Sequence, residues 1–168
     1  MKSCHGVLMI MAVGALAIMA IVALQLHSHW QRDFTREMEQ ELLFRGRQYV
    51  IAIDAYMKAN PGRYPESLQI LYDKKHIRQL YPDPMTDHGE WNLVMQSATA
   101  EQKKLQIISP KQLPQFLANG RLVGVCSAST EEAMLEYRDK KKYSEWAFFA
   151  GDDPKKAMPE LEYMFEQP

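Results

Sequence analysis

The sequence predicts an α+β fold, one long N-terminal helix followed by a small antiparallel sheet. Three observations predict it. Residues 7–26, VLMIMAVGALAIMAIVALQL, hold no charge and one polar side chain, Gln25. Residues 30–60 follow with no proline or glycine cluster before Asn60 and keep helical period. Beyond residue 90 come three short segments rich in apolar and β-branched residues, separated by Pro, Gly and Ser turns.

The elements follow in order. Residues 1–6 form a short leader. Residues 7–26 span about 30 Å as a helix, the thickness of a bilayer's hydrocarbon core. The run exceeds the apolar core of a secretory leader, and Leu24-Gln25-Leu26 makes a poor cleavage site, so a retained single-pass anchor is expected. His27 and His29 lie two apart on a helix and do not share a face, so they read as interfacial polar residues beside Trp30.

Residues 27–60 read as an amphipathic continuation of the same helix. Trp30, Phe34, Met38 and Leu42 repeat every four residues, a narrow stripe expected to pack against a partner helix. The stripe then runs through Tyr49, Val50, Ile53, Tyr56 and Met57, apolar enough to lie on a sheet. Gly46 costs up to about 1 kcal/mol relative to Ala in a helix unless something approaches closely there. The charged residues between 31 and 41 read as a solvated face with local ion pairs, or as charges matched by another subunit. Asn60-Pro61-Gly62 ends the helix.

Residues 61–150 are expected to form a small α+β head. A short helix is predicted over 66–73, with Leu68, Leu71 and Tyr72 facing the core. Residues 81–89, YPDPMTDHG, form a turn-rich loop. Strands are predicted over 90–95, 104–109 and 122–127. In 131–150, EEAMLEY suits helix or strand, YSEWAFFA suits strand better, and Lys140 to Lys142 read as a solvated turn. Residues 151–168 read as a loose tail.

Composition narrows the function. The chain has 168 residues, 20 Lys plus Arg and 21 Asp plus Glu. Only Lys2 precedes the apolar run, leaving 19 basic residues against 21 acidic ones. That balance argues against nucleic-acid binding, which needs a basic face. Cys4 and Cys126 would lie on opposite sides of a membrane and cannot pair within one chain. Cys126, His88 and Asp87 are the residue types of a thiol hydrolase, but Cys126 sits in a strand-like apolar run where a buried thiol is expected, so no enzyme activity is predicted. No cofactor is predicted, though Asp83 and Asp87 are candidate calcium ligands; calcium wants six or more oxygens, and aspartates in a proline loop ordinarily bond nearby amides.

With these segments in order, the chain resembles type IV pilin-like proteins, closest to the pseudopilins of type II secretion systems. LLFRGRQYVIAIDAY (42–56) is similar to the sheet-facing half of their helix. GRYPESLQIL (62–71) is similar to their turn and second helix, and YPDPMTDHGEW (81–91) to their Asp-Pro loop. The stretch 122–149 resembles a divergent branch of the family. The resemblance implies cleavage of the leader after Gly6 and methylation of the new N-terminal Val7. It implies calcium in the sheet-loop region, as in the major pseudopilins. It implies a subunit of a type II secretion or type IV pilus-type machine in the bacterial inner membrane, head on the periplasmic side, partnered by other pilin-like subunits and inner-membrane assembly proteins. The family's acidic residue early in the mature helix is replaced here by Met11, which puts regular filament packing in question. A membrane-tethered periplasmic domain that binds a ligand or partner without any filament role is the alternative.

Overall fold

The computed structural model describes residues 4–97, 104–118, 120–151 and 156–165, without the side chains of residues 4, 5 and 24–32. Helix α1 runs Cys4–Ala59, 56 residues. The chain divides into two compact units, Met1–Glu37 and Met38–Pro168.

In the first unit, Gly6–Ala23 is long and apolar enough to cross a membrane, and none of it is buried. Leu8, Met11, Leu16 and Ile18 all stand exposed. In water such a surface is unstable, because each large apolar side chain gains about 1.5–3 kcal/mol by leaving it.

The second unit is the head. Its sheet has strand order β6-β3-β1-β2-β7. The strands are β1 (Trp91–Ser97), β2 (Leu105–Ile108), β3 (Gly120–Ser127), β6 (Ala147–Phe149) and β7 (Leu161–Tyr163). β1 lies antiparallel between β2 and β3, with Leu93 opposite both Ile108 and Val125. β6 extends β3, pairing Phe148 with Val125. The alternation of a strand sorts the side chains. Trp91, Leu93 and Met95 join Leu42, Tyr49 and Ile53 of α1 in one core. Val94, Ile107, Val123 and Cys126 join a second core on the opposite face, covered by Met158, Leu161 and Phe165.

Helix α1 turns Glu39, Leu42, Gly46, Tyr49 and Ile53 into the head, steps of three and four residues that keep one face of a helix inward. Gly46 is there for the approach of Phe148. A Cβ at Gly46 would lie 2.7 Å from one ring carbon of Phe148 and closer to two others. Gly124 likewise leaves room for the backbone of Phe148 and Phe149 where β6 pairs beside β3.

Helix α2 is Leu68–Asp73, two residues shorter at its start than expected. Ser67 caps it, its hydroxyl accepting from the Ile70 amide at 3.4 Å, and Leu71 is fully buried. A 3-10 turn at Pro110–Gln112 and the one-turn helix α3 (Leu113–Phe116) link β2 to β3. The ambiguous stretch after 131 resolves as strand β4 (Glu132–Tyr137), paired with β5 (Lys140–Lys142) in a separate two-stranded sheet. The three lysines are thus a strand where a turn was expected. Arg138 and Asp139 make the turn, with φ of 54° and 64°, the left-handed pair that a two-residue hairpin connection requires. The tail expected to hang loose from residue 151 supplies β7, which pairs parallel to β2 through Leu105 and Leu161. Leu161 and Tyr163 bury apolar area on the sheet's second face, which orders the segment.

Candidate functional site

The loop at 81–89 is built as a structural joint. Its Tyr81 carbonyl accepts from the Tyr49 hydroxyl and from the Trp91 indole, both at 2.8 Å. The Arg45 guanidinium donates to the Pro82 carbonyl at 2.8 Å while its Nε meets Glu41 one helical turn back. Asp83 is buried. One carboxylate oxygen accepts from the Met85 amide at 2.9 Å; the other accepts from the Ser127 hydroxyl at 2.8 Å and the Ala128 amide at 3.0 Å. Burial raises its carboxyl above the usual range, against the pull of these three bonds and of the Arg45 charge. Asp83 therefore ties the loop to the end of β3. Asp87, its expected calcium-ligand companion, stands exposed. Among the described residues no group of three or more His, Cys, Asp or Glu side chains is assembled to hold a metal ion.

Cys126, His88 and Asp87 are not brought together as a reactive set. Cys126 is fully buried, its thiol donating to the Ser144 carbonyl at 2.8 Å, while His88 and Asp87 are exposed. Burial, with the charges of Asp83 and Glu145, pushes the thiol far up, opposite to what a nucleophile needs.

The expected packing stripe divides. Leu42 is fully buried in the head's own core, so it is not available to a partner helix as expected. Met38 is half-buried, Phe34 is exposed, and the side chain of Trp30 lies outside the described ones. The reason is geometric: a strict four-residue repeat drifts about 40° per step around a 3.6-residue helix, so its members do not share one face. Within the head, the large apolar residues of α1 that do face outward are Phe44, 49% exposed, and Ile51, 59% exposed. They lie seven residues apart, two turns along one face. Gly6 and Val7, the expected processing site, lie within α1 and are exposed.

Glu39 is the residue that sequence reading missed. It was expected among the solvated or partner-matched charges, yet it is fully buried. Its carboxyl accepts from the Met134 amide at 2.6 Å, the Leu135 amide at 3.2 and 3.3 Å, and the Tyr143 hydroxyl at 2.8 Å. Burial, and then the Glu39 bond, hold the Tyr143 hydroxyl firmly protonated as a donor. Nothing local distinguishes Glu39 from Glu37 or Glu41. Only its place three residues before Leu42, on the inward face, marks it.

A long N-terminal helix with an apolar stretch of membrane length, laid against a curved and mostly antiparallel sheet, is a pilin-like arrangement. Comparison with known protein families, with curated proteins and with solved structures gives no match.

Proposed function

We propose that this chain is a pseudopilin-like assembly subunit, anchored in the bacterial inner membrane by Gly6–Ala23 with its head in the periplasm. It serves a type II secretion or type IV pilus-type machine and acts by packing against other subunits. The pilin-like fold carries the reading: one helix is wholly apolar and uncovered at its start and locked to a sheet at its end. The outward Phe44 and Ile51 support it, because large apolar side chains on one helix face are costly in water and gain from a neighbour. In the membrane the gain would come from close van der Waals packing of helices.

Crosslinking tests the reading. In native membranes, with Cys4 replaced by Ser, Ile51→Cys is expected to crosslink through a bismaleimide to another copy or to another pilin-like subunit. The exposed head position Glu66→Cys is expected to do so far less. Equal, background labelling at both positions would refute assembly through this face. The alternative, a tethered partner- or ligand-binding domain, predicts an intact Met1 by mass spectrometry of the mature chain, whereas the pilin-like pathway predicts a start at methylated Val7.

A further inference from the structure

The β4–β5 hairpin is set apart from the rest of the head. It forms its own two-stranded sheet and shares no ladder with the five-stranded one. A hairpin of two strands is marginal by itself in water. Its partnered positions are Glu132 with Lys142 and Tyr137 with Lys140, and the register shifts between them. Met134 and Leu135 fall in the shifted stretch. Their amides donate to Glu39, and their side chains stand exposed. The helix thus supplies, through one side chain, the acceptors that a neighbouring strand would otherwise supply.

The other ties lie at the two ends of the hairpin: Ala133 and Tyr137 pack on the main core, Lys140 meets Glu145 at 3.3 Å, and the Tyr143 amide donates to the Glu131 carbonyl at 3.2 Å. Tyr137 lies against Trp146 and Phe148, with ring centroids 5.4 and 5.7 Å away. Arg138 donates to the Lys156 and Ala157 carbonyls in exposed bonds, and the Trp146 indole donates to the Lys140 carbonyl at 3.2 Å. Exposed bonds exchange readily with water and hold little, whereas a buried carboxyl accepting amide and hydroxyl donors is costly to strand on either side.

We propose that the β4–β5 hairpin is a strap that opens as a unit, with Glu39 as its latch, and that opening uncovers the aromatic surface of Tyr143 and Trp146. Both side chains are almost completely buried, and the strap lies against Trp146 through the Tyr137 ring and the Lys140 carbonyl. Local opening of this kind belongs to segments with few buried apolar contacts, and the middle of β4 fits that description. The proposal is independent of the assembly reading, since it concerns the head alone.

Amide hydrogen exchange on the full chain in detergent tests it. In the unaltered protein, the Met134 and Leu135 amides are expected to exchange through an opening insensitive to low denaturant, and those of Val94 and Val125 through one that denaturant accelerates. In Glu39→Gln the remaining oxygen can still accept from Met134 and Tyr143, but the amide nitrogen takes the place of the oxygen that accepts from Leu135, so Leu135, and with it Met134, is expected to exchange at least about tenfold faster while Val94 and Val125 keep their rates. Tyr143→Phe keeps the carboxyl and its amide bonds and is expected to give a smaller acceleration at the same two residues. Unchanged exchange at Met134 and Leu135 in Glu39→Gln overturns the latch. Acceleration of Val94 and Val125 in step, or loss of folding in that variant, overturns the separate strap, as does a denaturant-sensitive opening of β4 in the unaltered protein.

Discussion

Gly46→Ala separates what helix propensity says from what packing says. On propensity alone the change stabilises α1 by up to about 1 kcal/mol, since glycine in a helix interior loses more backbone freedom than alanine. In the folded head the new methyl would meet the Phe148 ring at 2.7 Å and less. The ring has nowhere to retreat. It lies edge-on to Trp91 at 6.4 Å, beside Tyr137 at 5.7 Å, and its backbone is pressed on Gly124. Forcing a methyl into a filled core costs about 1–3 kcal/mol. The overpacking wins, and the net loss is about 1–2 kcal/mol, or about 3–8 °C in melting temperature for a unit of this size. The assay is urea unfolding of the full chain in detergent, followed by near-ultraviolet circular dichroism, which reads the buried Trp91 and Trp146. Phe148→Leu is expected to relieve the clash, so that the two changes couple by about 1 kcal/mol or more in a double-mutant cycle. A raised midpoint for Gly46→Ala, or strict additivity with Phe148→Leu, would refute the close approach as the reason for glycine.

Three further outcomes are expected. Asp83 has a raised carboxyl pKa in the folded head, so its contribution to stability is full below the unfolded carboxylate value and is lost as pH rises through the folded one. The stability of the natural chain relative to Asp83→Asn should therefore grow as pH is lowered from 7 towards 4, and a flat or shrinking difference in urea titrations would contradict this. Leu16→Arg places a charge in the middle of the exposed apolar segment, at a cost of about 2.5–3.5 kcal/mol on insertion scales, and should shift the chain out of the carbonate-resistant membrane fraction; full retention would remove the anchor assignment. In a Cys4→Ser chain, Cys126 should react with a maleimide more than about 100-fold slower in the native state than in urea, because its thiol is buried and held protonated. Rapid native labelling would mean that the thiol is accessible.

Much of this architecture is legible in the sequence. The apolar run and the 3.6-residue stripe through Tyr49, Ile53 and Tyr56 foretold α1, and short β-branched or aromatic-rich runs between Pro, Gly and Ser turns foretold β1, β2 and β3 within one or two residues. These signals are local: a periodic pattern needs only its own neighbours to be read. Gly46 was half legible, as a cost needing a reason; the reason, Phe148, lies about a hundred positions away in the chain. Asp83 was legible as a turn residue but not as the acceptor for Ser127 and Ala128.

What the amino-acid order determined by itself is the helix, the anchor-length greasy segment and the three central strands. What only the tertiary structure decided is the fate of residues whose local context is ambiguous. Leu42 turned inward instead of meeting a partner, because a four-residue repeat rotates off its face. Glu39 became the acceptor for a distant hairpin, because β4's shifted register left amides in need of one. Residues 161–163 became an edge strand, because the second face of the sheet offered apolar area to cover. Burial and hydrogen-bond satisfaction are properties of the assembled surfaces, and a stretch of sequence read alone does not contain the surface it will meet.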